Sequence, residues 1–404
     1  MPRSAASTLA SPVPRAAGRD RRRAGASSVL RSVLEHGPVA RSTVARLTGL
    51  SPASVTEHCA RLAGLGLIRE SPAPRRSGGV GRPHVPLELD DARFVVGGVH
   101  GAVPYTTVAL LDLRGRVPAR RELKHERTDP AGALARAAEG LGALFAEAPG
   151  RPPLGVGVAV GGWVDRAAGT VVEHELPGWR EVPVREVPVR EVLAARTGLP
   201  VEVDGHARAL VNGERLLGRA RGSRSVLHLF VGHVVDAAFA THDEVHHGPR
   251  SATGAIAHLP VPGGTEPCPC GRTGCLQAEL GERTLCRGAR VAGVTDSADP
   301  MRVAAAAAAG DAVARGLLVE RARATGRAAA LLLDVLNPET VVVTEVGVIH
   351  VEECLDALRE AAGNSRSAAV LATSFPDSVL AVAGGSVLLD ALFRDPLGAS
   401  PEGI

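Results

Sequence analysis

The sequence predicts an α/β protein headed by a small three-helix module that closes with a β-hairpin. Three observations predict it. Apolar residues recur at helical spacing up to about residue 64 and then give way to a short hairpin pattern. Strand-like apolar runs alternate with helical stretches over the rest of the 404-residue chain. Positive charge is concentrated in the head: residues 1–90 carry 14 Arg against 6 acidic residues, a balance of +8, which leaves −5 for the body out of a total of +3. A basic head on an acidic body suggests a polyanion-binding module joined to something else.

Residues 1–24, rich in Ser, Ala, Pro and Arg without apolar periodicity, read as a disordered basic arm ending in Arg21-Arg22-Arg23. From Ala26, residues Val29, Leu30, Val33 and Leu34 mark a first helix that His36-Gly37-Pro38 ends. Ser42 is expected to cap a second, with Val44, Ala45 and Leu47 inward and Thr48-Gly49 closing it. Ser51 and Pro52 open a third, which runs through Val55, Cys59 and Leu62 to Gly64. Leu65-Gly66-Leu67-Ile68 then leads into a strand, a loop from Pro72 to Gly81, and a return strand over Val85–Leu89. Residues 25–90 therefore read as a winged helix-turn-helix. Its third helix would enter the major groove, with Ser51, Ala53, Ser54 and Thr56 at the entering end and Glu57, His58 and Arg61 further along the polar face. Arg75, Arg76 and Arg82 fall on the wing, where Gly81-Arg82-Pro83 would offer an arginine to a minor groove.

Residues 91–395 carry the alternating pattern. Strands are expected over Phe94–Val99, Thr107–Leu111, Leu154–Val160, Val201–Val203, Val226–Val231 and Val341–Val343, and helices over Pro130–Ala148, Val303–Leu336 and Val351–Ala362. Glu181–Val192 is a tandem five-residue duplication, read as a surface-loop expansion. No run of 18 apolar residues occurs and the basic N-terminus is not followed by an apolar segment. A cytoplasmic, nucleoid-associated location without a membrane partner is the expectation.

Three of the six Cys crowd into residues 268–275. Together with His258, the residues Cys268, Cys270 and Cys275 offer three thiolates and one imidazole at intervals of 10, 2 and 5. That donor set suits a closed tetrahedral zinc site, with no open position for catalysis, so the ion is expected to be structural. Cys59, Cys286 and Cys354 stand alone and read as buried thiols.

The His followed by Cys-x-Cys-Gly-x-x-Gly-Cys resembles the signature of the ROK family, which holds bacterial sugar kinases and sugar-responsive repressors of the N-acetylglucosamine and xylose type. The resemblance runs over residues 26–395, and the winged helix places the chain with the repressors. It implies an actin-like pair of lobes, a homodimer or homotetramer, a pseudo-palindromic double-stranded DNA operator, and a sugar or sugar-derivative effector.

The resemblance also exposes departures. Family kinases hold ATP with three Gly-rich elements. The first, Asp-x-Gly-Gly-Thr, reads His100, Gly101, Ala102, Val103 and Pro104; the second reads Gly232-His233-Val234-Val235-Asp236; the third reads Thr344-Glu345. The Mg²⁺-ordering Asp and the phosphate-binding hydroxyl are gone, so no kinase activity is expected. The sugar contacts are thinned as well. Of the Asn-Asp pair the chain keeps Asp204 after Val203; Glu-x-Gly-His reads Ala255-Ile256-Ala257-His258; and a Glu past the last Cys reads Gln277. Gly162 lies where the family closes over its sugar, with Trp163 and Trp179 as stacking surfaces. The candidate ligand residues are thus Gly162, Asp204, His258 and Gln277. The reading is a sequence-specific regulator of sugar or carbon metabolism, by default a repressor. The alternative is a ligand-independent pleiotropic regulator controlled by abundance or a protein partner.

Overall fold

The computed structural model describes residues 14–71, 85–102, 105–124, 129–173, 187–242, 244–363 and 368–398, with side chains from residue 20 onward. It divides into two compact units, residues 1–94 with 391–404, and residues 95–390.

The first unit is built on three helices: α1 (Pro14–His36), α2 (Arg41–Thr48) and α3 (Pro52–Gly64). Helix α1 begins at Pro14 rather than near Ala26, so the expected arm of residues 1–24 is helical over its second half. Ala and Arg are good helix formers and Pro is suited to a first turn, which overrides the missing apolar period. Residues 1–13 lie outside the described residues. Val29, Leu30, Val33, Val44, Val55, Cys59 and Leu62 form the buried core, as their spacing predicts. Three local expectations fail. Leu47, expected to face inward from α2, is 42% exposed. Helix α2 starts at Arg41 behind Ala40 with no side-chain cap, so Ser42 is not its N-cap. His58 is buried, because its ring lies where a side chain on Gly25 of α1 would stand, so the absence of a Cβ there lets the helices meet over it. Gly49 ends α2 in the left-handed conformation, φ 69°, which starts the tight turn into α3. Strands β1 (Ile68–Glu70) and β2 (Leu87–Leu89) pair antiparallel, Ile68 opposite Leu89. The chain's last residues return here: Ser27 donates to the carbonyl of Phe393 at 2.6 Å, and Arg23 pairs with Asp395 at 3.1 Å.

The second unit holds two five-stranded sheets of the same topology. The first contains β3 (Val95–Gly101), β4 (Tyr105–Leu111), β5 (Ala119–Lys124), β6 (Pro153–Val160) and, after the small hairpin β7 (Trp163–Asp165) and β8 (Thr170–Glu173), β9 (Val201–Gly205), in the order β5-β4-β3-β6-β9. The second contains β10 (Ser225–Val231), β11 (Val235–Thr241), β12 (Glu244–Val245), β13 (Thr340–Glu345) and β14 (Ala369–Ala372), in the order β12-β11-β10-β13-β14. In each, an antiparallel three-strand meander continues into two parallel strands. The repeat is invisible in the sequence because only its pattern of pairing, not its residues, recurs.

Helices α4 (Pro130–Ala146) and α5 (Val189–Thr197) cover one face of the first sheet, burying Val99, Val108, Leu141, Leu144, Val158 and Leu193. Helix α6 (His206–Leu216) follows β9 directly. The second sheet is covered by α10 (Ala312–Leu336) and α12 (Glu352–Ala362), after the shorter α7 (Leu276–Leu280), α8 (Glu282–Val291) and α9 (Pro300–Ala308), and with α11 (Val346–His350) between β13 and α12. The single helix expected over Val303–Leu336 is two, since Asp311 caps a new start by accepting from the amides of Val313 and Ala314. The last helix, α13 (Val379–Arg394), approaches β3 and β6 backbone to backbone: a Cβ on Gly384 would lie 2.6 Å from the Val99 amide nitrogen, and one on Gly157 2.3 Å from the Gly384 carbonyl. Only glycine permits that approach.

Gly384→Ala is therefore expected to destabilise the second unit by about 3 kcal/mol through overpacking. Urea unfolding would measure it as a lowered midpoint, and an unchanged midpoint would contradict the close approach.

Candidate functional site

Three places carry chemistry. The first is the entering end of α3. Ser51 caps the helix, its Oγ accepting from the Ser54 amide at 3.1 Å and lying 2.9 Å from the Ser54 hydroxyl. Pro52 follows at the first helical position, and Thr56 donates back to the Pro52 carbonyl at 2.8 Å. Ser51, Ala53, Thr56, Glu57 and Arg61 are exposed and Ser54 half-buried, so one small-residue face stands clear at the helix start. Glu57 and Arg61 pair at 2.8 Å. The wing residues Arg75, Arg76 and Arg82 lie outside the described residues.

The second place is the cysteine loop. The donor atoms of His258, Cys268, Cys270 and Cys275 all lie within 4.8 Å of one another. Cys268 Sγ is 3.6 Å from His258 Nδ1, and Cys270 Sγ is 3.7 Å from Cys275 Sγ. Two thiolates about 2.3 Å from a tetrahedral ion stand about 3.8 Å apart, a spacing the Cys270–Cys275 pair meets, so the donor set suits a metal ion. The loop is shaped for it by paired backbone segments, Pro260 against Cys275 and Pro267 against Thr273. Burial pushes Cys268 up to about 11, while the hydrogen bond from Arg272 brings Cys270 down to about 6.

The third place is the region between the two sheets of the second unit, where the candidate ligand residues fall. Asp204 is buried and already engaged: its Oδ1 accepts from Arg208 Nε at 2.6 Å and from the Gly205 amide at 2.7 Å. Arg208 in turn donates to the carbonyls of Ser251 at 2.8 Å and Val164 at 3.1 Å. Gln277 is a clamp, accepting from the Val235 amide and donating to the His233 carbonyl, both at 2.7 Å. It ties α7 to the β10–β11 turn. Gly162, φ 79°, makes the turn into β7, and Trp163 donates to the Arg250 carbonyl at 2.8 Å with the Arg250 guanidinium 4.9 Å over its ring. Trp179 lies outside the described residues. His258 belongs to the cysteine loop.

The degenerate Gly-rich positions have acquired internal contacts. Glu345 is fully buried in an ion pair with Arg321 and accepts from the Val348 amide at 2.7 Å, and Arg321 donates to the carbonyls of Leu280 at 2.8 Å and Val231 at 3.1 Å. His100 stacks on His206 with ring centres 5.8 Å apart, and His206 Nε2 lies 3.8 Å from Asp236 Oδ2. His206, the first residue of α6, is the side chain from this strand end that faces His100. Sequence reasoning passed over it for Asp204, two residues earlier; the signal was its place at a strand-to-helix junction. Burial holds His100 down to about 4 and His228 to about 3, and pushes Asp236 up to about 7.

The model of the ROK family matches residues 96–381. A transcriptional regulator of Mycobacterium tuberculosis is 35% identical over 395 residues, 93% of this chain and 87% of that protein. A xylose repressor of Caldicellulosiruptor bescii is 26% identical, covering 82% of this chain and 85% of its own length. Among solved structures, a ROK family transcriptional regulator described as a homologue of the Escherichia coli Mlc protein superposes with a TM-score of 0.76 at 21% identity, over 94% of this chain and 98% of that one. No helix among the described residues is long and apolar enough to cross a membrane.

Two predictions follow from these geometries. Cys275→Ser should lose bound metal, read by elemental analysis, and lower the melting temperature by at least about 5 °C. The pH dependence has a definite sign. A histidine held below its unfolded value of 6.5 stabilises the folded state above that pH and stops doing so as pH falls toward 4. His100→Leu should therefore be about 2 kcal/mol less sensitive than the parent to a change from pH 8 to pH 5, measured by urea unfolding at both.

Proposed function

This chain belongs to the ROK family, and from that premise we propose that it is a sequence-specific DNA-binding transcription regulator, acting as a repressor of sugar or carbon metabolism genes. The observation that carries the reading is the capped, exposed entering end of α3 in a helix-turn-helix, on a chain matched over nearly its whole length by a transcriptional regulator. Ser51, Ala53, Ser54 and Thr56 approach base edges or phosphate, with Arg75, Arg76 and Arg82 on the wing against the backbone or a minor groove. The capping hydroxyl and free amides at the start of α3 suit a phosphate. Two copies of the chain read a pseudo-palindromic operator in successive major grooves.

The second unit acts as an effector and assembly domain without catalysis. Mg²⁺-ATP needs a carboxylate, a phosphate-binding hydroxyl and open glycine backbone. Here His100 stands at the first of these places, and the Arg321–Glu345 pair supports the third from within. The ion of the cysteine loop is zinc, held by His258, Cys268, Cys270 and Cys275, and its role is structural because all four positions are filled by protein.

The effector is a sugar or sugar derivative in the interlobe region, near Gly162, Asp204, His258 and Gln277. A second reading, a regulator without a small-molecule effector, is favoured by one observation: Asp204 and Gln277 both have their polar atoms satisfied within the chain. Unpaired polar groups are what give a hydroxyl-binding site its discrimination.

Gel retardation on operator fragments tests the proposal. Ala53→Glu, which brings a carboxylate to the groove, is expected to abolish retardation with the melting temperature unchanged. Arg82→Ala should flatten the dependence of log affinity on log salt by about 1 for the lost phosphate contact. Release by one sugar would select the effector reading; indifference to monosaccharides, amino sugars and sugar phosphates would select the second. Failure of the parent chain to prefer any operator fragment over random DNA would overturn both.

A further inference from the structure

Helix α10 carries an exposed face that the chain leaves uncovered. Its buried side, with Leu318, Ala322, Thr325, Ala329 and Leu333, packs over the second sheet and against α12. On the opposite side, at helical spacing along the whole length, stand Val313, Gly316, Glu320, Arg327, Leu331 and Val335, all exposed. Three of these are large apolar side chains, and Val335 is 72% exposed. Two more large exposed apolar residues, Val291 and Met301, lie on α8 and α9, so this helical layer holds five of the seven among the described residues. Single exposed apolar residues need no account, whereas a cluster on one layer marks an interaction surface.

We propose that this face packs against α10 of a second copy of the chain, antiparallel, about a two-fold axis at Arg323–Ala324. Glu320 then meets the partner's Arg327 while Arg327 meets the partner's Glu320, so one contact is made twice. Gly316 faces the partner's Leu331. A Cβ on Gly316 would meet nothing within 4 Å, which leaves a notch for that larger side chain. Val313 lies against the partner's helix end at Asp334 and Val335. Ala324, at the crossing, is small enough to let the helix axes approach to about 8–10 Å. From Val313 to Asp334 the seam residues recur at steps of three and four, the period by which two long helices keep contact.

Charge selects a second copy over other occupants. Glu320 pairs with Arg323 on its own helix, and Arg327 makes no ion pair among the described residues. A carboxylate accepts from more than one donor, so Glu320 can take the partner's Arg327 as well. A membrane surface calls for a polar face that is basic throughout, which Glu320 and Asp334 interrupt. The seam from Val313 to Val335 is about 33 Å long at about 1.5 Å per residue, and with a width of about 10 Å it covers about 330 Å². That is less than half of the roughly 800 Å² that each partner gives to a standard interface. Helix α8 widens it: a Cβ on Gly288 would lie 3.7 Å from the Leu317 side chain, and Val291, 85% exposed, stands one turn further on. A contact of this size gives a dimer in exchange with monomer. The proposal needs nothing from the DNA-binding reading, and its failure would leave that reading to gel retardation.

Sedimentation velocity of the full chain without DNA tests it. The parent should show concentration-dependent exchange between monomer and dimer, shifted toward monomer by salt. Glu320→Arg and Arg327→Glu each place like charges opposite one another and should weaken association at least about tenfold. An equimolar mixture of the two should recover it, since every like pair becomes an opposite pair across the mixed dimer. Both positions are exposed, so the melting temperatures of the variants should match the parent's. Ala324→Cys, at the axis, should form a disulfide-linked dimer in air, and Val313→Cys, far from it, should not. A parent that stays monomeric, a dimer that neither charge variant weakens, a mixture that fails to recover it, or cross-linking at 313 and not at 324 would each overturn the proposal.

Discussion

Two buried arginines organise the second unit. Arg321 ties the end of β13, through Glu345, to the carbonyls of Leu280 and Val231, and Arg208 ties the end of β9, through Asp204, to the carbonyls of Val164 and Ser251. Each guanidinium presents a rigid fork of donors, so one side chain fixes several loop ends at once. A buried charge is tolerated only when fully paired, and removing one partner of such a pair typically costs about 3–5 kcal/mol. The strand ends that a phosphotransfer enzyme keeps open for nucleotide and sugar are thereby held by the chain's own charges. One set of contacts thus gives these strand ends a firm interior.

The first unit depends on a different constraint, the short reach between α2 and α3. Gly49 turns the chain in a conformation few other residues tolerate, and the Ser51 cap with Pro52 fixes where α3 begins. The burial of Val55, Cys59 and Leu62 leaves the opposite side of α3 to solvent. His58 belongs to the packed side through its contact with Gly25, so the exposed face is narrower than periodicity alone suggests. Small residues at its start are what a helix needs to lie close to base edges.

Legibility followed the kind of signal available. Val29 to Leu62, the apolar runs at β3, β6, β10 and β13, and the His258–Cys275 spacing were all readable, because burial period and metal-ligand geometry leave local traces. What escaped was either non-local or too short or too polar to carry a period. Strand β5 is mostly polar and at a sheet edge, and β7 and β8 are too short to carry a period. The start of α1 at Pro14 rests on propensity without an apolar stripe. The partners of Arg208 and Gln277 could not be foreseen, since Arg208 reaches the Ser251 carbonyl forty-three residues away and Gln277 the Val235 amide forty-two away, and only folding brings them together. His206 went unread for the same reason: its meaning depends on His100 and Asp236, which approach it from other strands.

The regulatory reading makes DNA occupancy in the cell the most direct measurement. The parent chain and Ala53→Glu would be compared by genome-wide cross-linking and sequencing, at matched protein levels. The account predicts discrete sites sharing an inverted-repeat motif for the parent and their disappearance in the variant. Identical profiles for the two, or no enrichment above background in the parent, would contradict it.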